Sequence, residues 1–268
     1  MYIHDLQPDL ITIGFFSIRW YSLAYIFGIL IGWWVSLKII NHHKILGSFS
    51  INKDDFGNYI TYLIISLVVG GRIGYVLFYN FDFYFLNPVE IFKIWNGGMS
   101  FHGALLGIII GTLIFCKKVN LKPFILLDII ACVSPIGIFF GRIANFVNAE
   151  LYGKITNVTW AVIFPTVDNM PRHPSQIYEA FFEGLILFLI LIFIIFKFNY
   201  QIGRCSSLFL ILYSTFRIIS EQFREPDAQV GYLFYNLSMG TLLSLVMLII
   251  GIVLFFESIK NANKQKNF

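Results

Sequence analysis

Charge is scarce in this sequence. Only 13% of its 268 residues are Asp, Glu, Lys or Arg, about half the ~25% usual in soluble domains. With 57% hydrophobic residues and a mean hydropathy of +0.75, that excludes a water-soluble globular domain. Cysteine is scarce too. Cys116, Cys132 and Cys205 each sit in or beside an apolar run, so they form no disulfide framework and read as small buried hydrophobes. No metal-ligand spacing is present, and neither a metal nor a cofactor is expected. The start, Met1-Tyr2-Ile3-His4-Asp5, lacks the positive residues of a cleavable signal peptide. There is no low-complexity tract and no parallel or inverted repeat of the transporter kind. The net charge of +4 is spread over loops and helix ends rather than gathered in a patch, so no nucleic-acid partner is expected.

What is present is a series of apolar segments near the ~20 residues needed to cross a bilayer. They run roughly from Ile18 to Ile40, Tyr59 to Phe78, Ser100 to Cys116, Phe124 to Val147, Ile177 to Phe198, Ser206 to Phe223 and Met239 to Phe256. The third and sixth are short and carry charge or glycine. The expected fold is an all-α polytopic membrane protein of about seven transmembrane helices, a single integral domain over residues 1–268. Basic residues set its orientation. Lys38, Lys44 and Lys53 follow the first segment, Lys117, Lys118 and Lys122 the third, Lys197 and Arg204 the fifth, and Lys260, Lys264 and Lys266 the last. The loops Phe81 to Ile91 and Glu225 to Met239 carry acid and no base. The N-terminus is therefore expected outside and the C-terminus inside. Residues 151–174 form the longest external stretch, with Thr159 to Phe164 alternating weakly as a short strand would. Asn80 to Gly98, rich in Phe, Ile and Trp95, suits the membrane interface. His4, His42 and His43 read as surface residues.

The stretch Gly141-Arg142-Ile143-Ala144-Asn145-Phe146-Val147-Asn148-Ala149-Glu150-Leu151-Tyr152-Gly153 breaks the apolar pattern. Arg142, Asn145 and Ala149 recur at i, i+3 and i+7, one face of a helix. An arginine at membrane depth costs at least ~2.5–3.5 kcal/mol on insertion scales, unless it snorkels or faces a protein interior or ligand. The orientation places Arg72, His102, Arg142 and Arg217 in the outer half of the membrane. Arg217, Glu221 and Arg224 share one helical face with alternating sign. Arg72 is a candidate partner for Glu221, or a ligand-binding group. The glycines around His102 suit close approach of a substrate to the backbone. His173-Pro174-Ser175-Gln176 reads as a helix start with proline in the first turn, turning Gln176 and Glu179 toward the same outer cavity. Several arginines with few free carboxylates suggest an anionic ligand, and arginine's planar fork suits phosphate. The residues alone point to a membrane enzyme or carrier acting on an anionic lipid at the outer face.

Four motifs narrow this. Gly98-Met99-Ser100-Phe101-His102-Gly103, Gly141 to Gly153, His173-Pro174-Ser175-Gln176-Ile177-Tyr178-Glu179, and Arg217 through Glu221 to Arg224-Glu225-Pro226-Asp227 together resemble the prolipoprotein diacylglyceryl transferase family, in family order and over nearly the whole chain. Ala144 departs from an expected glycine. The resemblance implies a multi-pass enzyme of the bacterial inner membrane. Its substrates would be phosphatidylglycerol and preprolipoprotein signal peptides with a lipobox. The diacylglyceryl group would pass to the lipobox cysteine thiol as a thioether, releasing glycerol phosphate. His102 is then the candidate base, with water or Glu150 as alternatives. Arg142 is the candidate phosphate holder and Arg217 a second one. Tyr25, Arg72, Asn145, Glu150, Gly153, Tyr213 and Glu221 complete the expected substrate-binding set. The competing class is an anionic phospholipid carrier with an arginine-lined outward cavity. It calls for inverted repeats and polar groups running to the inner face. A rhomboid-like protease would need a Gly-x-Ser-Gly-type nucleophile, and Ser100 and Ser134 lack that setting.

Overall fold

The computed structural model describes residues 2–13, 16–45, 51, 53–94, 97–226 and 238–266. Trp95, Asp227 and most of the acidic loop after Glu225 lie outside them. Among the described residues, six helices are long and apolar enough to cross a membrane by length and composition: Trp20–His43, Asp54–Phe78, His102–Val119, Pro123–Val147, Ser175–Lys197 and Gly240–Ala262. The protein is an all-α polytopic membrane protein. The sixth expected crossing forms as an 18-residue helix, Arg204–Glu221. It is not among the six because serines and charges replace apolar residues along its buried face, where Ser207, Ser214, Arg217 and Ser220 lie.

The chain divides into two compact units, Ile40–Leu127, and Met1–Ile39 with Asp128–Phe268. The first holds α2 (Lys53–Phe78), α3 (Phe81–Leu86), a 3₁₀ turn (Pro88–Phe92) and α4 (Phe101–Val119). Helix α2 opens with Asp54 and Asp55, and α4 closes with Lys117 and Lys118, each sign matching the helix dipole. These two helices meet at backbone distance. Ser66, Gly70 and Gly74 on α2 face Gly103, Gly107 and Gly111 on α4. A Cβ on Gly74 would lie 2.6 Å from Gly103 Cα, and one on Gly70 2.7 Å from Gly107 Cα. Small residues every fourth position let membrane helices approach this closely. Gly103 therefore makes room for a helix, which corrects, for that one glycine of those around His102, the expectation that it serves substrate approach. Ser100 caps α4, its Oγ accepting from Gly103 N at 3.2 Å. In the segment Asn80 to Gly98, Phe81, Phe83, Phe85, Leu86 and Phe92 are exposed, an apolar surface of the kind an interfacial segment presents.

The second unit holds most of α1 (Trp20–Ile45), nearly all of α5 (Pro123–Val147), the helix from Ser175 to Lys197, α8 (Arg204–Glu221) and α9 (Met239–Lys266). The helix from Ser175 runs as α6 (Ser175–Glu179), a π-helical stretch (Ala180–Ile186) and α7 (Leu187–Lys197). Asp128, in the apolar run of α5, is fully buried. Its carboxylate accepts from Gly203 N at 2.7 Å, Ser206 N at 2.8 Å, Ser206 Oγ at 2.6 Å and Tyr200 Oη at 2.8 Å. It thus caps the start of α8, where backbone N–H groups have no partner within the helix.

Residues 151–174 build a small head with β4 (Val162–Ile163) and β5 (Pro171–Arg172). The chain start supplies a third strand, β1 (Tyr2–Ile3), parallel to β4. The strand expected within Thr159 to Phe164 is β4, whereas β1 and the β2–β3 hairpin (Asp9–Ile13 and Phe16–Arg19) carried no clear signal. Ala149, Val162 and Phe164 form the head's apolar centre, with Phe146, Tyr152 and Val167 against it. His4 is buried there, its Nε2 donating to Phe146 O at 2.8 Å. That corrects its reading as a surface residue. His43 is buried as well.

Candidate active site

Helix α5 carries Arg142 and Asn145 on one face and then stops at Val147. Ala149 and Leu151 adopt φ of 56° and 54°, left-handed backbone that L side chains rarely take and that tends to mark functional turns. Ala149 thus lies beyond the helix and does not continue the Arg142–Asn145 face, as its i+7 spacing suggested. The turn presents Glu150. Asn145 Nδ2 donates to Glu150 Oε2 at 3.3 Å and to Tyr21 Oη at 2.9 Å, and Asn148 Nδ2 donates to Glu150 Oε1 at 3.3 Å. Gln176 Nε2 fixes the turn from below through the Glu150 carbonyl at 2.6 Å, and Ser175 Oγ does so through that of Leu151 at 3.0 Å.

Gly153 joins three of the four motifs. Its N–H donates to His173 O at 3.0 Å, it bridges to Arg224, and Lys154 N donates to Phe223 O at 2.9 Å. A side chain there would meet His173 Cβ at 2.6 Å and Phe223 O at 2.7 Å. The three segments can lie this close only around glycine. Arg172 adds a clamp, donating to Gly153 O at 3.1 Å and pairing with Asp168 at 2.6 Å and Glu225 at 3.3 Å.

Inside this frame lies a buried ion network. Arg142 Nε is 3.1 Å from Glu179 Oε2, and its Nη2 is 3.2 Å from Glu183 Oε2. Arg217 Nη1 lies 2.6 Å from Glu179 Oε1 and 3.6 Å from Glu183 Oε1, and its Nη2 lies 2.6 Å from Glu221 Oε2. Arg224 reaches Glu179 Oε1 at 3.6 Å. Three arginines face three glutamates, and Glu179 and Glu183 are wholly buried. The π-helical stretch Ala180–Ile186 sits just where the two carboxylates must converge, and such bulges often mark functional sites. Tyr213, buried one turn before Arg217, feels the charges of Arg142 and Glu183. The site is thus not a set of arginines short of carboxylates, as the sequence suggested, but a balanced cluster. Arg142 keeps the most exposed side chain of the three arginines, 16% against 10% for Arg217 and 6% for Arg224.

Tyr25 is 63% exposed on α1, its ring 5.4 Å from that of Tyr21. His102 is half-buried in the first turn of α4. Arg72, in the same compact unit as His102, gives all five of its N–H groups to backbone carbonyls. Nε donates to Ile91 O at 2.8 Å, Nη1 to Gly97 O at 2.5 Å and Gly98 O at 3.1 Å, and Nη2 to Glu90 O at 2.6 Å and Lys93 O at 3.3 Å. Glu221, once its candidate partner, belongs to Arg217.

A family model described as prolipoprotein diacylglyceryl transferase matches residues 8–257. The chain belongs to the prolipoprotein diacylglyceryl transferase family. It is 53% identical over 253 residues to the phosphatidylglycerol–prolipoprotein diacylglyceryl transferase of Rickettsia typhi, covering 94% of this chain and 96% of that one. It is 51% identical to the Rickettsia akari protein of the same name, over 95% and 97%. In this member of the transferase family, the residues missed by sequence reasoning are Tyr21 and Glu183. Glu183 had a signal: it is a lone charge within an apolar run, four residues after Glu179 and so on the same helical side.

Proposed function

We propose that this transferase moves the diacylglyceryl group of phosphatidylglycerol to the thiol of a lipobox cysteine in a preprolipoprotein, at the outer face of the bacterial inner membrane. The S–C bond forms to the glycerol carbon, and the carbon–oxygen bond to phosphate breaks. The bond's electrons stay on glycerol phosphate, and the thiol proton passes to a base. The observation that carries this reading is Arg142 on α5, paired and partly exposed, beside Asn145 and the Glu150 turn.

Each group has a task that chemistry requires. A thiol has a pKa near ~8.5, higher in apolar surroundings, so the nucleophile needs a base. His102 is the candidate, and Glu150, held by two asparagine amides, is the alternative. Charge grows on the departing phosphate, where a fixed guanidinium helps most. Arg142 takes that role, with Arg217 and Tyr213 behind it. Asn145, Glu150 and Gly153 shape the head-group site, Tyr25 lines the lipid side, and Arg72 fixes the segment leading to His102.

The test is a transfer assay with phosphatidylglycerol labelled in its diacylglycerol part and a lipobox peptide. Label on the cysteine peptide, absent from a Cys-to-Ser peptide and lost with Arg142→Ala, is the expected result. Arg142-dependent lipid binding without transfer would overturn it in favour of a carrier. Full turnover by His102→Gln would remove His102 from the base role.

A further inference from the structure

The proposed transfer changes the charge of what the arginines hold. The phosphodiester of the donor lipid carries one negative charge, whereas the departing monoester carries about −1.5 to −2 at pH 7. Bare arginines would bind the product more tightly than the substrate at any dielectric. A site built only for phosphate capture would therefore retain its own leaving group.

The arginines here are not bare, and their two wholly buried carboxylates are held unequally. Glu179 is gripped from both sides, at 2.6 Å by Arg217 and 3.1 Å by Arg142. Glu183 lies farther from both, at 3.2 Å from Arg142 and 3.6 Å from Arg217, and each of the two carboxylates keeps one buried oxygen, Glu179 Oε2 and Glu183 Oε1, that accepts no hydrogen bond. A buried carboxylate oxygen left without a donor is costly. Glu183 also rides on the π-helical turn, where an extra residue is already accommodated and a small shift needs no new break in the helix.

Building on the function proposed above, we propose that Glu183 is a positioning residue for release. Its carboxylate yields Arg142 to the lipid phosphate and reclaims Arg142 once the monoester has formed, so the product leaves. Glu179 stays on Arg217 throughout and keeps the arginines in place.

The test uses the full chain in detergent or nanodiscs, with sn-glycerol phosphate as probe. Glu183→Gln keeps the shape and removes the charge. The expected result is inhibition by glycerol phosphate at about tenfold lower concentration, as fits loss of one competing charge at contact distance. Steady-state turnover drops further than single-turnover transfer does. A purely structural role would lower both rates together and leave the inhibition constant unmoved, which would overturn the proposal. Removing one partner of a buried pair can prevent folding. In that event Glu183→Asp, which keeps the charge but lengthens both contacts, carries the test: tighter product inhibition supports the proposal and unchanged inhibition overturns it. Direct binding of labelled glycerol phosphate needs no turnover. A parent that binds the probe and transfers nothing counts against the transferase reading, whereas equal binding by parent and variant counts against the role of Glu183.

Discussion

The molecule buries arginine in two different ways. Arg72 spends all five donors on neutral carbonyls of residues 90–98, with its guanidinium 5.0 Å from the Tyr84 ring centroid. Arg142 and Arg217 spend theirs on carboxylates. Backbone carbonyls cannot leave without unfolding the segment that bears them, so the first arrangement is a fastening. Carboxylate side chains can move, and an incoming phosphate competes with them on equal chemical terms. The second arrangement is therefore suited to exchange. Sequence position alone does not separate the two, since both arginines interrupt apolar helices.

The sharpest way to break the comparison is at Arg142. Arg142→Ala removes the proposed phosphate ligand and should cost about 10²–10³ in turnover, the usual penalty for losing one fixed donor at a developing charge. Arg142→Lys should recover little, because one ammonium cannot span Glu179 and Glu183 as the guanidinium fork does. The transfer assay reads both. Near-normal turnover by Arg142→Lys would mean that charge alone matters and geometry does not.

The same exchange at Arg72 should behave oppositely. Lysine has three donors for five carbonyls, so Arg72→Lys should lower stability by about 1–3 kcal/mol through unsatisfied buried groups. Turnover per folded molecule should fall less than at Arg142. Thermal unfolding and faster proteolysis near residues 90–98 would register it. A comparable loss comes from Gly107→Ala, since its Cβ would press on Ser66 O and on Gly70 Cα at 3.0 Å. Overpacking of this kind costs about 1–3 kcal/mol. Unchanged thermal stability would show that α2 and α4 can part without loss.

Much of this was legible because it follows from local pattern. Hydrophobic runs located the helices that are long and apolar enough to cross, and i, i+4 spacing foretold the Arg217–Glu221 pair, found at 2.6 Å. Pro174 does precede a helix. What stayed hidden depends on partners distant in sequence. Asp128 and Glu183 were lost inside apolar runs because hydropathy averages over single charges. Tyr21 rather than Tyr25 meets Asn145, a choice of one helical turn that only the direction of α1 decides. The glycines of α4 look the same whether a helix or a substrate lies opposite. His4 is buried because a two-residue strand at the chain start joins the head, a signal too short to stand out.

The smallest expected effect tests the head that braces the arginine network. Burial against Tyr178 and Phe223 holds His173 below its ordinary value. Hydrogen bonds from Arg172 hold Asp168 below the ordinary carboxylate range. For His173 the unfolded chain binds the proton more readily, so stability falls as pH drops below about 6.5. For Asp168 the stabilisation is complete above about 3.9 and is lost as pH falls through the lower folded value. The head should therefore loosen in two separate acid steps. Trp160, whose indole donates to Tyr178 Oη at 2.7 Å while Tyr178 also meets His173 Nδ1 at 3.2 Å, reports the first step in its fluorescence. His173→Gln should erase that step and Asp168→Asn only the second. A single acid transition untouched by either substitution would mean that the head gives way with the charged network beneath it and has no titration of its own.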